Sequence, residues 1–353
     1  MRVLLINSSE TMRGGESQTL ELGMRLRARG IETAFAVKAG SELEAALPAE
    51  VESMKARFET PVLLTPLRLR RFIKKWRADI VHAQTSKAHA YARIACAGIV
   101  PLVVSRRTAF DGGRGLASIL KYGKGVAHYI PISEAAAGSL RSRGVPDDHM
   151  TIVHSGVEIA RFSALERNRA AGETLVAGTA AAFEREKGHG VLLDAAAILR
   201  SKGVRMRYAL AGGGRLEDSI VAGAAERGLD LELHRIGGSL SFERYLEMLD
   251  IYVLPSLEEG LSTGLIAAMA SGLPCVASRT GGIPEVTGEN AALLFEPGDP
   301  AGLAAALEML AGDPAVREAY SSRGSERARL FDVEKMVAGT IEVYERVLER
   351  GTG

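Results

Sequence analysis

The chain has 353 residues, 46% of them hydrophobic and 25% charged, with a formal net charge of +1. Those proportions exclude intrinsic disorder and speak against a dedicated nucleic-acid binder, which needs a basic excess. The length exceeds what one core usually serves and predicts two domains of roughly 150–200 residues.

Cys96 and Cys275 lie far apart inside apolar runs. They read as small buried hydrophobes of a reducing compartment, not as a disulfide framework or a zinc site. No apolar segment approaches the ~20 residues needed to cross a bilayer. The apolar run in "MRVLLINSSE" is too short for a signal peptide and fits a first buried strand. The expectation is a cytoplasmic protein, soluble or peripheral on a membrane.

In chain order, strands are predicted in "VLLIN" (3–7), "TAFAVK" (33–38), "DIVHA" (79–83), "LVVSR" (102–106), "HYIPIS" (128–133) and "TIVHS" (151–155). Helical stretches separate them, such as "ESQTLELGMRLRARG" and "SEAAAGSLRSRG", the latter with Ser133 as cap and Gly144 as stop. Short, nearly continuous apolar strands alternating with helices indicate a parallel sheet covered on both faces. The charged stretch "VEIARFSALERNRAAGET" (157–174) has no strand signal and reads as a linker. The alternation then restarts with "TLVAGTA", "MRYALAGGG", "LELHRIGG", "DIYVLPS", "PCVAS" and "AALLFE". The predicted fold is α/β, with two doubly wound, Rossmann-like parallel-sheet domains over 1–165 and 166–330. The tail 331–353 reads as an amphipathic helix packing back on the first domain. Ligands of such sheets bind beyond the carboxyl ends of the strands, so the domains are expected to face each other across a substrate cleft.

Several loops carry polar groups at those strand ends. Gly14 and Gly15 in "TMRGGES" open a helix, either as a tight turn or to let backbone amides approach a ligand. Gly213, within "ALAGGGR", poses the same choice. In "FEREKGHG", Arg185 and Lys187 form a cation pair suited to a diphosphate, or a solvated loop. In "LEEGLSTGLIAAMA", Glu259 precedes a helix that Ser262 or Thr263 can cap. The helix start suits a phosphate, and the acid beside it suits sugar hydroxyls; the alternative is a capped helix with an exposed acid. No G-x-G-x-x-G is present, so a dinucleotide fingerprint is not supported.

"PSLEEGLSTGLIAAMASGLPCVASRTGGIPE" (255–285) resembles the signature of the retaining GT-B glycosyltransferases of group 1, family 4. That pattern runs P-S, two residues, E-G-F-G, four residues, E-A-M-A, then G-x-P-V-V-A and G-G-x-x-E. "DIVHAQ", "HSGVE", the Lys-Gly at 187–188, "AGGGR" and "FEPGDPAGL" follow the family's order across nearly the whole chain. The N-terminal third is similar to transferases of envelope polysaccharide and lipopolysaccharide core.

The resemblance implies a GT-B fold and transfer of a sugar from a nucleoside diphosphate, with retention, to a saccharide or lipid-linked acceptor. It implies no cofactor and no metal; the chain has no D-x-D. Glu259, Lys187 and Arg185 would be catalytic. Gly14, Gly15, Gly213, Glu258, Leu261, Ser262, Thr263, Gly264 and Glu285 would lie on the donor side. On the acceptor side stand Arg107, near the family's usual His, and His82 and His154. These two imidazoles end strands, where contact with an acceptor and simple packing are both open.

The chain departs from the family pattern at Ala267, where a second Glu would hold the ribose, and at Ala182, where a Gly-Arg is usual. Arg107 for His, and Leu261-Ser262 for Phe-Gly, complete the departures. Two hydrogen bonds to a carboxylate contribute about 1.5–3 kcal/mol each, so losing them weakens donor binding by about two decades or more. Glu258 and Glu285 are the nearest acids able to replace it. An eroded homologue that only binds sugar nucleotides or partners is the alternative reading; a nucleotide-sugar epimerase fits the 255–285 block less well. Finally, "LRLRRFIKKWR" (67–77) carries six cations among apolar residues. It suits an anionic membrane bearing a lipid-linked acceptor, or is a solvated helix face.

Overall fold

Segments of three to seven residues, most of them apolar, become the strands of two parallel six-stranded sheets in the computed structural model. The structure describes residues 1–58, 64–108, 122, 125–166, 173–236 and 240–351. The first sheet holds β1 (Arg2–Asn7), β2 (Glu32–Lys38), β3 (Ser53–Ala56), β4 (Ile80–Ala83), β5 (Leu102–Arg106) and β6 (His128–Pro131). Its order is β3-β2-β1-β4-β5-β6. The second holds β7 (Val176–Ala180), β8 (Arg207–Ala211), β9 (Leu231–His234), β10 (Ile251–Leu254), β11 (Cys275–Ser278) and β12 (Leu293–Phe295), in the order β12-β11-β10-β7-β8-β9. Counted from its own first strand, each sheet grows outward one way and then the other. The reversal falls between β1 and β4 in one and between β7 and β10 in the other, with Leu4 paired to Val81 and Ile251 to Ala177. Loops leaving those strand pairs at their carboxyl ends are therefore neighbours.

Contacts divide the chain into Met1–Gly156 with Glu334–Gly353, and Val157–Val333. The first unit's core gathers Leu4, Ile6, Val81 and Val104 from the sheet with Tyr91, Ala92 and Leu140 from helices. The second gathers Ala177, Leu210, Val253 and Val276 with Leu192, Leu199 and Leu307. Each fully buried aliphatic side chain contributes about 1.5–3 kcal/mol, which is why the strands need almost no polar residues. The C-terminal helix Val333–Gly351 returns the chain to the first unit, where Glu334 pairs with Arg25 and Arg29. Between the division point and residue 174, the stretch read as a linker opens with the helix Ile159–Ser163, whose Phe162 meets the Phe242 ring at 5.8 Å. Residues 167–172 of that stretch lie outside the described ones.

One strand is not foreseen, and one strand expectation fails. β3, "SMKA", has no apolar run, because an edge strand with one neighbour keeps an exposed side. The segment 151–155 is not a ladder strand. It runs beside β6 with Thr151 and Val153 N–H groups donating to the Tyr129 and Pro131 carbonyls at 3.1 Å. No helix among the described residues is long and apolar enough to cross a membrane.

Candidate functional site

In the second unit, the loops after β7 and β10 meet because those strands are adjacent. The Leu257 and Glu258 N–H groups both donate to the Glu186 carbonyl, at 2.8 and 3.3 Å. Gly188 makes this approach possible: its φ is +66°, and a Cβ there would collide with the Pro255 carbonyl. Gly281, at φ +54°, lets the loop after β11 lie against the Glu259 carbonyl in the same way. Thr280 donates its hydroxyl to the Leu257 carbonyl at 3.2 Å, and Ser278 donates to that of Ser256 at 2.5 Å.

This backbone frame sets one ion pair. Lys187 Nζ donates to Glu259 Oε2 at 2.8 Å; Ser256 Oγ donates to the same oxygen at 3.3 Å, and the Gly260 N–H to Oε1 at 3.1 Å. The lysine side chain is 23% exposed and the glutamate 12%, so the pair is sheltered but reachable. A carboxylate held this way keeps lone pairs for hydroxyl groups, while the ammonium offers a point charge to an anion.

The helix Thr263–Ala270 starts beside the pair. Ser262 Oγ accepts from the Leu265 N–H at 3.3 Å, and Ser262 itself sits at φ +67°, a region that costs a residue with a Cβ about 1–2 kcal/mol. Leu261 is buried and anchors the turn. Gly264 has a packing reason of its own, since a Cβ there would stand 2.9 Å from the Tyr252 hydroxyl. The unpaired N–H groups of the first turn make this helix end favourable for an anion. Ala267 is 2% exposed, so the position lacking a carboxylate is enclosed by protein rather than open to water.

The other residues expected on the donor side are dispersed. Arg185 and Glu258 are exposed, and Arg185 forms no ion pair among the described residues. Glu285 lies in the helix Ile283–Thr287, where its carbonyl accepts from Arg327 Nη2 at 2.8 Å. Gly213 lies between Gly212 and Gly214, whose φ angles are +156° and +155° and whose backbones press on the Ala181 and Phe183 carbonyls. The glycine run thus packs the β8 loop against the β7 loop. Ala182 is half-buried in that β7 loop.

In the first unit, Gly14 and Gly15 begin the helix Gly14–Ala28. Glu16 closes its start, accepting from the Arg13 N–H at 3.2 Å and from Asn7 Nδ2 at 3.4 Å. Arg107, just past β5, lies over Gly15. Its Nη2 donates to Gln84 Oε1 at 2.8 Å and its Nη1 to Ser155 Oγ at 3.3 Å. Burial pulls the guanidinium down to about 10. His154 is half-buried in the adjoining loop. The Gln18 side-chain amide clamps Gly156 from both sides, at 2.7 and 3.0 Å.

His82 is placed differently from an acceptor contact. It is 1% exposed, with Nδ1 2.6 Å from the Tyr344 hydroxyl and Nε2 2.8 Å from Ser105 Oγ. Burial, then the charge of Arg107, lowers its pKa to about 3. It is a neutral imidazole tying β4 to the C-terminal helix. Gln84, Ser155, Gln18 and Ser256 were not foreseen; the weak signal was that Gln84 and Ser256 stand at strand ends within the quoted motifs.

This geometry can be set beside known proteins. The model described as Glycosyltransferase Family 4 matches residues 12–161, and the one described as Glycosyl transferases group 1 matches residues 174–313. The crystal structure of Anabaena Alr3699/HepE in complex with UDP and glucose superposes with a TM-score of 0.83, covering 98% of this chain and 100% of that one at 18% identity. Each half of the chain thus matches a glycosyltransferase domain model, and the fold is GT-B. The amylovoran biosynthesis glycosyltransferase AmsK of Erwinia amylovora is 33% identical to this GT-B chain over 187 residues, 50% of this chain and 46% of AmsK. The MMP alpha-(1->4)-mannosyltransferase of Mycolicibacterium hassiacum is 34% identical over 244 residues, 64% of this chain and 57% of that protein. The GT-B chain thus spans about half the length of such curated relatives.

Proposed function

We propose that this GT-B chain moves a sugar from a nucleoside diphosphate to a saccharide or lipid-linked acceptor of the cell envelope, with retention of anomeric configuration and without a metal. The observation that carries the reading is the Lys187–Glu259 pair, set beside the start of the Thr263–Ala270 helix at the β7/β10 reversal. In this role Lys187 and the helix amides stabilise the departing diphosphate, and Glu259 grips donor-sugar hydroxyls. Relatives named for amylovoran biosynthesis and mannosyl transfer support it, as does a similar fold holding UDP and glucose. Ala267 leaves the ribose without a carboxylate, so the nucleotide half of the donor is held weakly or by other groups. The eroded-homologue reading rests on Ala182 and Ala267 alone and is not favoured, since the Lys187–Glu259 pair is intact.

We also propose peripheral attachment to the inner face of the cytoplasmic membrane through the helix Leu64–Trp76. Leu64 and Leu67 stand out from it at 58% and 55% exposure, beside exposed Arg68, Arg71, Lys74 and Lys75. Apolar residues to insert and cations to meet anionic headgroups suit a membrane surface. Replacing those four cations should abolish binding to anionic liposomes at low salt; unchanged binding sinks the attachment.

The activity is tested with UDP-, GDP- and ADP-sugars, scored for transfer, slow hydrolysis and thermal shift, in buffer with and without EDTA. Turnover that disappears in Glu259→Gln, survives EDTA and yields a product of unchanged anomeric configuration by NMR is the expected result. A folded chain that neither binds nor turns over any donor overturns it.

A further inference from the structure

We propose that Arg107, Gln84 and the start of the Gly14–Ala28 helix form an oxyanion subsite in the first unit, which takes the carboxylate or phosphate of a charged sugar. The proposal rests on the transferase reading above and names the class of substrate that this unit selects.

Among the described residues, two enclosed donors at this place lack an acceptor. Among the described residues the Arg107 guanidinium has only neutral partners, Gln84 Oε1 at 2.8 Å and Ser155 Oγ at 3.3 Å, and its enclosed Nε has none. Gln84 is 1% exposed, and with Oε1 turned to Arg107 its Nε2 is likewise an enclosed donor without an acceptor among the described residues. Buried donors of this kind are rarely left unpaired in a native protein. Glu16 lowers the local positive potential, yet its oxygens serve the Arg13 N–H and the Asn7 amide and make no ion pair with Arg107.

The cation also stands where a cation is disfavoured. A Cβ on Gly15 would lie 3.3 Å from Arg107 Cδ and 3.9 Å from Nε, so the guanidinium stem covers the positive end of a 15-residue helix. Two positive sources held together repel each other, and an anion bound between them satisfies both. A guanidinium fork matches the geometry of a carboxylate or a phosphate, and the helix amides point at the same oxygens. A neutral sugar hydroxyl supplies neither the charge nor enough acceptors.

The test is calorimetric titration of the full chain with methyl glucuronide, glucose 6-phosphate, methyl glucoside, inorganic phosphate and UDP. At least one charged sugar should bind ten or more times tighter than methyl glucoside, and which one does so separates a carboxylate source from a phosphate source. Arg107→Gln should erase the difference, and Arg107→Lys should keep part of it. Equal affinity for charged and neutral sugars, discrimination that survives Arg107→Gln, or a loss confined to UDP each overturns the proposal. Should Arg107→Gln not fold, Gly15→Asp seats a carboxylate beside the guanidinium; it should raise Tm and abolish the discrimination, and unchanged discrimination overturns the proposal. Because binding is read without turnover, discrimination in a chain that transfers nothing sinks the transferase reading alone. Turnover without discrimination sinks the subsite alone.

Discussion

At the carboxyl ends of β7 and β10 a lysine and a glutamate meet at 2.8 Å, whereas past β5 in the other sheet Arg107 has, among the described residues, only an amide and a hydroxyl for partners. The strand orders are the same in both sheets. Topology therefore decides which loops become neighbours, and the loop residues decide whether their charges cancel. In the second unit, Gly188 and Gly281 let backbones touch, and the side chains at the junction are of opposite sign. In the first, neutral side chains hold a cation in place over a helix start, and the nearby Glu16 makes no ion pair with it.

The largest expected effect tests the paired side. Glu259→Gln keeps the shape and removes the charge; turnover should fall about 10²–10³-fold, or about 2.7–4 kcal/mol, with thermal stability nearly unchanged. Activity within a few-fold of wild type in a donor assay would break the assignment of chemistry to that pair.

Next comes the frame that brings the pair together. Gly188→Ala must hold a Cβ at φ +66° against the Pro255 carbonyl, so it should destabilise by about 3 kcal/mol in urea unfolding. A loss below about 1 kcal/mol would mean that the two loops do not depend on that glycine.

The pH response should differ between the units. Burial lowers the pKa of His82 to about 3 and of His128 to about 4 in the first unit, and of His189 to about 4 in the second. Each is neutral when folded but takes up a proton when unfolded below about pH 6.5. Their stabilising contribution is therefore full above pH 6.5 and declines as pH falls toward the folded values, by up to about 1.4 kcal/mol per pH unit for each. Hydrogen exchange at pH 7.5 and 5.5 should show protection falling further in the first unit. An equal loss in both removes the distinction.

Ser262→Gly is the mildest test. It relieves a positive φ, forfeits the hydroxyl cap and adds chain entropy to the unfolded state, so stability should stay within about 1 kcal/mol and move upward. A loss greater than that would show the cap, not the strained backbone, to dominate at this turn.

Much of the fold was legible because buried parallel strands must be apolar along their whole length, as "VLLIN" and "IYVL" are. β3 was not, since an edge strand needs little apolar surface. Lys187 and Glu259 were legible as candidate site residues because strand, acid, glycine and helix start follow one another within a short span. Gln84 and Ser155 were not, because a neutral side chain signals nothing until its partner is known. His82 stood at a strand end like a ligand-contacting residue, and its partner Tyr344 is 262 positions away.

By itself the sequence determined the alternation of strands and helices, the two sheets it implies, and the glycines where backbones can turn or touch. Those are short-range properties, set by the sterics and burial pattern of a few consecutive residues. Only the tertiary structure decided that Lys187 would be neutralised by Glu259, that His82 would be closed into the core, and that Arg107 would stand over Gly15 without an ion pair among the described residues. Charge compensation depends on distances between loops remote along the chain, and no local pattern encodes them.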